Sequence, residues 1–232
     1  MAFSLGTTRA YGKRPDRLQR RMLACLVAAL LTATGFQTAK AGDGARIIVF
    51  GDSLSAGFNL APDAGFVPQL ERRLKADGMA VTVMNASVSG DTTAGGRSRL
   101  DWAIAGPPGL VILELGANDA LRGIDPKITR DNLAAMIETL QQRGHKLLLA
   151  GMLAPPNMGR EYETAFNAVY PSLARAYNVP LYPFFLDGVA ARPELVQADG
   201  KHPTAEGVAV IVARIAPMII GLIGATPTAG EK

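Results

Sequence analysis

Short apolar runs alternate with segments of helical periodicity along most of this 232-residue chain, and this alternation constrains its fold more than any other feature. Apolar runs without polar alternation are typical of strands buried on both faces of a parallel sheet. The predicted strands are residues 46–50, 80–85, 110–115, 146–152 and 179–184, and the predicted helices are residues 65–77, 94–105, 126–143, 160–177 and 204–223. Strands that alternate with helices form βαβ units, so the sequence predicts an α/β protein. The expected architecture is a three-layer α/β/α sandwich with a five-stranded parallel sheet, in the flavodoxin-like arrangement.

Individual residues refine this prediction. Leu100 and Trp102 are expected to supply apolar surface to the second helix. Pro171 lies inside the fourth helix and is expected to bend it, because proline lacks an N–H donor and its ring crowds the preceding turn. Pro180 and Pro183 remove donors from the fifth strand, which is therefore expected at an edge of the sheet.

The N-terminus has the three parts of a secretory signal peptide. A region with four arginines precedes an apolar run at residues 22–31, and residues 39–41 (Ala-Lys-Ala) fit a small-x-small cleavage site. The apolar run is too short to span a bilayer comfortably, and an uncleaved membrane anchor is the alternative. The predicted segments are a signal peptide at 1–41, one domain at 42–225 and a C-terminal tail at 226–232. The mature protein is expected to be periplasmic or secreted and to carry no stable membrane anchor.

Removal of this signal peptide changes the charge of the protein. Seven of the 24 basic residues and one of the 20 acidic residues lie in residues 1–41, which leaves 17 basic and 19 acidic residues in the mature chain. A net charge near −2 gives no electrostatic footprint for nucleic acid, so no nucleic-acid partner is expected. Cys25 is the only cysteine and leaves with the signal peptide, so the mature protein has neither a disulfide nor a thiol nucleophile.

Polar residues follow several of the predicted strands, at the sheet edge where open α/β proteins bind their ligands. The segments at this edge are Gly51-Asp52-Ser53 after the first strand, residues 86–93 after the second, Gly116-Ala117-Asn118-Asp119 after the third, and Asp199-Gly200-Lys201-His202 before the last helix. This edge therefore collects a hydroxyl, a glycine-containing polar loop, an amide, a carboxylate and an imidazole.

Ser53 is the candidate nucleophile, and a serine hydroxyl needs a base to take its proton. His202 lies at the same edge, and Asp199, three residues earlier, can reach one ring nitrogen and leave the other for Ser53. The alternative is structural: Ser53 would cap a helix, and Asp199 and His202 would form a capping or surface pair. His145 is expected at the opposite edge of the sheet, in a solvated loop.

Acyl transfer also requires donors that face the developing oxyanion. The candidates are the backbone N–H groups of Ser53 and Gly90 and the side-chain amide of Asn118, although Asn118 could instead be a turn residue. Asp52 is expected to hold its turn by hydrogen bonds to the backbone. No cluster has the spacing of metal ligands, and neither a metal nor another cofactor is expected.

Taken together, these motifs resemble a known enzyme family. In order and spacing, four segments are similar to the four sequence blocks of the SGNH (GDSL-type) hydrolases: Gly51-Asp52-Ser53-Leu54-Ser55, Gly90, Gly116-x-Asn118-Asp119 and Asp199-x-x-His202. The resemblance implies a nucleophilic Ser53, a triad completed by Asp199 and His202, and an oxyanion hole of Ser53, Gly90 and Asn118. Residues 115–123 look most like the bacterial periplasmic branch, which is described as acyl-CoA thioesterase, lysophospholipase and arylesterase.

The resemblance thus predicts a secreted serine hydrolase of small-molecule acyl esters or thioesters, and we expect a monomer. The apolar segment 152–159, with Met152, Leu153 and Pro155, is expected to line a groove for an acyl chain or aryl group. A connection without ligand contacts is the alternative for this segment. Two other functions are weighed: a catalytically silent lipid- or glycan-binding module on the same fold, and a flavodoxin-like nucleotide or flavin protein. The first loop lacks a phosphate-binding pattern, which disfavours the latter.

Overall fold

A computed structural model describes residues 44–224, so the predicted signal peptide and the C-terminal tail lie outside the described residues. The strands are β1 (Ala45–Gly51), β2 (Val81–Asn85), β3 (Leu110–Glu114), β4 (Lys146–Ala150) and β5 (Leu181–Tyr182). The helices are α1 (Ser53–Ala56), α2 (Phe66–Ala76), α3 (Thr93–Ala103), α4 (Ala117–Leu121), α5 (Pro126–Gln142), α6 (Arg160–Asn167), α7 (Val169–Tyr177) and α8 (Ala205–Gly224). Two 3₁₀ turns, Pro156–Met158 and Pro193–Leu195, lie in the connections.

The five strands form one sheet in the order β2-β1-β3-β4-β5, and every neighbouring pair is parallel. Four consecutive residues of β1, Ile47 to Phe50, are fully buried, as expected for a strand covered on both faces. Strand β5 lies at an edge and has only two residues, because Pro180 and Pro183 on either side of it cannot donate to the ladder. The predicted α/β fold with a five-stranded parallel sheet is confirmed.

The longer helices form two packed groups. Helix α2 packs against α8, while α3 packs against α5 and α5 against α7. The strand order explains this division. The chain leaves β1 in one direction for β2 and then passes back over β1 to β3, and right-handed crossovers in opposite directions put their helices on opposite faces. The carboxyl ends of β1, β2 and β3 therefore open at one edge.

Two helical predictions were wrong in detail. The predicted helix 160–177 is two helices, because α6 ends at Asn167 and α7 begins at Val169. The ring of Pro171 conflicts with the carbonyl four residues earlier, that of Asn167, so the helix breaks there and does not merely bend. Trp102 is 80% exposed, whereas Leu100 is buried. Residues two apart on a helix point in nearly opposite directions, so only one of the two can face the core.

Helix α8 is the one helix within residues 44–224 that is long and apolar enough to cross a membrane. The core helix of a globular domain has the same length and composition, and α8 occupies such a position. Val208, Ile211, Ile215 and Ile219 are buried at helical spacing, and this face packs against α2. Its hydrophobicity is thus used by the core of the domain.

Candidate active site

Ser53 lies where β1 ends and α1 begins. Asp52 is the N-cap residue of α1, and its Oδ1 accepts a hydrogen bond from the Leu54 N–H at 3.0 Å. A helix leaves its first N–H groups without partners inside the helix, and Ser53 occupies the first position. The sharp turn at Gly51 and Asp52 therefore presents both the hydroxyl and the N–H of Ser53 at the carboxyl end of the sheet.

The structure brings Ser53, His202 and Asp199 together. The Nε2 atom of His202 is 2.9 Å from Ser53 Oγ, and the Nδ1 atom of His202 is 2.6 Å from Asp199 Oδ2. The other carboxylate oxygen, Oδ1, accepts from the backbone N–H groups of Lys201 and His202 at 2.9 and 3.1 Å. Because Asp199 and His202 are three residues apart in this tight turn, the backbone holds the Asp199 carboxylate against the His202 ring.

Asp199 is held in its charged form. The hydrogen bond with His202, followed by those from the backbone N–H groups of Lys201 and His202, lowers the pKa of Asp199 to about 2. An ionised carboxylate at Nδ1 keeps the proton on that nitrogen and leaves Nε2 unprotonated in the neutral ring. Nε2 is therefore the atom that can accept the proton of Ser53.

Phe58 is a site residue that the sequence analysis missed. Its ring lies against the ring of His202, with 4.5 Å between the centroids, and it remains 45% exposed at the cavity. Gln197 joins the two loops: its N–H donates to the His202 carbonyl at 2.7 Å, and its side chain donates to the Phe58 carbonyl at 3.0 Å. An aromatic residue shortly after Ser53 is the only sequence signal, and it does not indicate a contact with His202, which is 202 − 58 = 144 positions later in the chain.

The three residues predicted to form an oxyanion hole, Ser53, Gly90 and Asn118, all line one cavity. Gly90 has a φ of 86°, a conformation that favours glycine, and its N–H has no acceptor among residues 44–224. Arg122 fixes this loop from the other side by donating to the Gly90 carbonyl at 2.9 Å. Asn118, in the first turn of α4, lines the same cavity as Ser53 and Gly90. Each of the three predicted donor groups thus belongs to a residue of the cavity wall.

Two buried carboxyl groups lie directly behind Ser53. The Oδ2 atom of Asp52 accepts from the Asn118 side-chain Nδ2 at 3.2 Å, a contact beyond the backbone role expected for Asp52. The sequence analysis missed Glu114, whose Oε2 accepts from the Asp52 N–H at 3.3 Å and contacts Ser55 Oγ at 2.7 Å. Burial raises the pKa of Asp52 to about 6 and the pKa of Glu114 well above its usual value. A charged residue type inside the apolar run 110–115 was the signal that could have found Glu114.

Arg99 connects two of the loops at this edge. Its guanidinium pairs with Asp91 at 2.5 Å, donates to the carbonyls of Ala86 and Gly51 at 2.5 and 3.1 Å, and lies 4.1 Å from the centre of the Phe50 ring. Arg99 therefore fixes the loop after β2 against the carboxyl end of β1, next to Ser53. Asp119, also fully buried, plays a comparable structural part by accepting hydrogen bonds from Thr93.

A cavity of about 980 Å³ opens beside Ser53 and His202. Its wall includes Met152, Leu153 and Pro155, the three residues that the sequence analysis placed at a substrate groove. Apolar residues that follow β5 complete the wall; they are Phe184, Leu186, Ala190, Ala191 and Val196. Within the described residues no group of His, Cys, Asp and Glu side chains could hold a metal ion.

His145 lies at the amino end of β4, away from the cavity, as expected. It is not solvated, however: the residue is 7% exposed, and its Nδ1 accepts from the Gly109 N–H at 3.2 Å. Burial lowers the pKa of His145. The prediction of a solvated histidine was wrong, because the side chain is buried and accepts a hydrogen bond from Gly109 in the connection before β3.

Comparisons with known proteins identify the family of this chain. Residues 49–210 match the model of the GDSL-like Lipase/Acylhydrolase family. The chain is 44% identical to "Esterase TesA" of Pseudomonas aeruginosa over 180 residues, which cover 77% of this chain and 86% of that protein. It is 37% identical to "Thioesterase 1/protease 1/lysophospholipase L1" of Escherichia coli K12 over 167 residues, 72% of this chain and 79% of that protein. A crystal structure of TesA superposes with a TM-score of 0.73 at 41% identity and covers 76% of this chain and 99% of its own.

Proposed function

The chain belongs to the GDSL-like lipase/acylhydrolase family and is an ester hydrolase, and we propose that it cleaves its substrates through an acyl-enzyme on Ser53. The observation that carries this proposal is the line of hydrogen-bonding atoms from Ser53 Oγ through His202 to Asp199, at 2.9 and 2.6 Å. If Ser53 only capped a helix and Asp199 and His202 were only a surface pair, no hydrogen bond between Ser53 and His202 would be expected. The alternative of a catalytically silent binding module has no support, since no member of the triad is missing or displaced.

Acylation follows from these contacts. His202 Nε2 takes the hydroxyl proton as Ser53 Oγ attacks the substrate carbonyl carbon, and Asp199 stabilises the imidazolium that forms. The carbonyl oxygen becomes an oxyanion, which accepts hydrogen bonds from the N–H groups of Ser53 and Gly90 and from the Asn118 amide. Collapse of the tetrahedral intermediate breaks the bond to the leaving alcohol or thiol. The imidazolium gives its proton to that leaving group, and the acyl group remains on Ser53.

Deacylation repeats these steps with water. His202 takes a proton from a water molecule, whose oxygen attacks the acyl carbon and forms a second tetrahedral intermediate in the same oxyanion hole. The proton then returns to Ser53 Oγ, and the carboxylic acid leaves. No metal or organic cofactor takes part in this scheme.

The cavity favours substrates with an apolar acyl or aryl group. Leu153, Pro155 and Phe184 offer apolar surface, and Leu153 is 43% exposed. Burial of each CH₂ group contributes about 0.8 kcal/mol, so a longer acyl chain gains affinity along this wall. Aryl esters, acyl thioesters and lysophospholipids share this requirement, and they are the proposed substrate classes.

We expect Leu153→Asp to weaken the hydrolysis of long-chain substrates selectively. A carboxylate in the apolar wall would raise KM for p-nitrophenyl decanoate by about 10-fold or more, because contact with a few methylenes is worth about 1–3 kcal/mol. KM for p-nitrophenyl acetate should change less than about twofold, since its acyl group does not reach the wall. Steady-state kinetics on an ester panel from acetyl to decanoyl, with a decanoyl thioester included, measures both effects.

Ile128→Asp is the matched control for this series. Ile128 lies on α5, is 51% exposed and does not line the cavity, so the same substitution there should leave both KM values unchanged. Equal changes for acetyl and decanoyl esters in Leu153→Asp would contradict a groove at residues 152–159.

We also propose that residues 1–41 direct export and are removed, that residues 42–225 form the catalytic domain, and that the protein acts as a monomer in the periplasm or outside the cell. The supporting observations are the basic and apolar segments of residues 1–41 and the burial of one face of α8 in the domain. N-terminal sequencing of protein purified from the periplasmic fraction tests the cleavage near Ala41. Retention of residues 1–41 in that protein would contradict this proposal.

A further inference from the structure

We propose that Asp52 is a positioning residue for the oxyanion hole, because its carboxylate holds the Asn118 amide with one N–H hydrogen turned towards the substrate oxyanion. This inference rests on the proposed function of Ser53 and goes beyond it. It assigns a chemical task to a fully buried carboxyl group that contacts neither the substrate nor the nucleophile's hydroxyl. Asp52 would act only through Asn118.

The contact between the two side chains fixes the direction of the amide. Asp52 Oδ2 and Asn118 Nδ2 are 3.2 Å apart. An ionised carboxylate only accepts hydrogen bonds, so the amide must turn its NH₂ group, and not its oxygen, towards Asp52. One of the two amide hydrogens is used in this contact. The second then points away from Asp52 and is free for the oxyanion.

Each of the two carboxylate oxygens of Asp52 accepts a hydrogen bond from a different donor. Oδ2 serves the Asn118 amide, while Oδ1 accepts from the Leu54 N–H at 3.0 Å and so fixes the first turn of α1 next to Ser53. An asparagine at position 52 has a single acceptor oxygen and cannot satisfy both donors. The Asp52 carboxylate therefore connects helix α1, which carries Ser53, to the side-chain amide of Asn118. An asparagine at position 52 cannot make both contacts.

Glu114 explains how Asp52 can be the charged member of this buried pair. Ser87 Oγ donates to the Val49 carbonyl at 3.2 Å, and Ser55 Oγ donates to Ser87 Oγ at 2.9 Å. Ser55 Oγ is also 2.7 Å from Glu114 Oε2. Complete burial raises the pKa of Glu114 well above its usual value, which favours the neutral acid. Glu114 Oε1 has no partner within residues 44–224, which also favours the neutral acid, because an unpartnered buried charge is costly.

A double-mutant cycle tests whether Asp52 acts through Asn118. We expect Asn118→Ala to lower kcat for p-nitrophenyl butyrate by about 100-fold, as for other oxyanion donors. Asp52→Asn should lower kcat by about 30-fold with KM changed less than about threefold, because the lost interaction forms in the transition state. In the Asn118→Ala background the same substitution should cost less than about threefold.

The matched control is Asp125→Asn. Asp125 is also a helix N-cap, whose Oδ1 accepts from the Lys127 N–H at 2.8 Å, and it does not line the cavity. The kcat of Asp125→Asn should stay within about twofold of wild type. This variant separates the effect of losing a helix cap from the effect of losing the contact between Asp52 and the Asn118 amide. An equal effect of Asp52→Asn in both backgrounds would overturn the proposal, as would unchanged kcat in Asp52→Asn. Turnover that survives in Ser53→Ala would instead overturn the proposed function itself.

Wild-type protein provides a second measurement if Asp52→Asn does not fold. In the side-chain amide of Asn118, the hydrogen that faces Asp52 should exchange with water about 10-fold more slowly than its partner, as read from ¹⁵N-resolved NMR. Equal exchange of the two hydrogens would overturn the proposal.

Discussion

Ser53→Ala is expected to lower kcat for a p-nitrophenyl acyl ester by about 10⁴-fold or more while the fold persists. The substitution removes the atom that forms the acyl-enzyme, and only transition-state binding by the oxyanion donors would remain. Ser53 is partly exposed and its hydroxyl contacts His202, so the loss of one oxygen leaves the core intact. Steady-state kinetics and thermal unfolding, measured on the same preparation, test both parts.

Ser98→Ala is a matched control for that experiment. Ser98 is an exposed serine on α3 whose hydroxyl donates to the Gly95 carbonyl at 2.7 Å, away from the cavity. The kcat of Ser98→Ala should remain within about twofold of wild type, because surface substitutions away from a site usually have small effects. Turnover by Ser53→Ala above about one hundredth of the wild-type rate would refute a serine nucleophile at this position.

Asp199→Asn is expected to lower kcat by about 10³-fold, because an amide at this place can stabilise the wrong tautomer of His202. The carboxylate accepts from His202 Nδ1 at 2.6 Å, whereas an asparagine can present its NH₂ group there and leave the proton on Nε2. KM should change little. Asp101→Asn, at an exposed aspartate paired with Arg143, should keep its kcat within about twofold and serves as control.

The pKa of Asp199 adds a pH dependence to this prediction. Its value of about 2 lies below the usual 3.8, so the carboxylate stabilises the fold above pH 3.8, and this contribution is lost as the pH falls through about 2. Wild type should therefore exceed Asp199→Asn in stability by a constant amount above that range, and the difference should close below it. A difference that closes near neutral pH would contradict an Asp199 that remains ionised in the active enzyme.

The sequence was sufficient to predict the sheet and the edge at which the polar residues gather. Parallel strands require continuous apolar runs, which are visible at residues 46–50 and 110–115, and the rule that ligands bind at the strands' carboxyl ends then selects Ser53, Asn118 and His202. The ester hydrolase function followed from the family resemblance and is confirmed by the relatives. The catalytic roles of the individual site residues stay predictions.

Other features depend on contacts that the sequence pattern does not contain. Phe58 contacts His202 because two loops that are distant in sequence converge, and the spacing of apolar residues along the chain does not predict such a contact. Glu114 lies in a strand whose other residues are apolar, and its contacts with Ser55 and the Asp52 N–H form only in the folded chain. Trp102 is exposed because it lies on the opposite face of α3 from the buried Leu100, and the face that an apolar residue occupies decides whether it joins the core.

A fluorophosphonate that reacts covalently with activated serines tests the central claim most directly. We predict that peptide mass spectrometry will find one phosphonyl adduct, on Ser53, formed with loss of fluoride, and that His202→Ala will prevent it because the base is gone. Loss of esterase activity should parallel the extent of labelling. Active enzyme that gains no adduct on Ser53, or that gains one equally well without His202, would contradict the account.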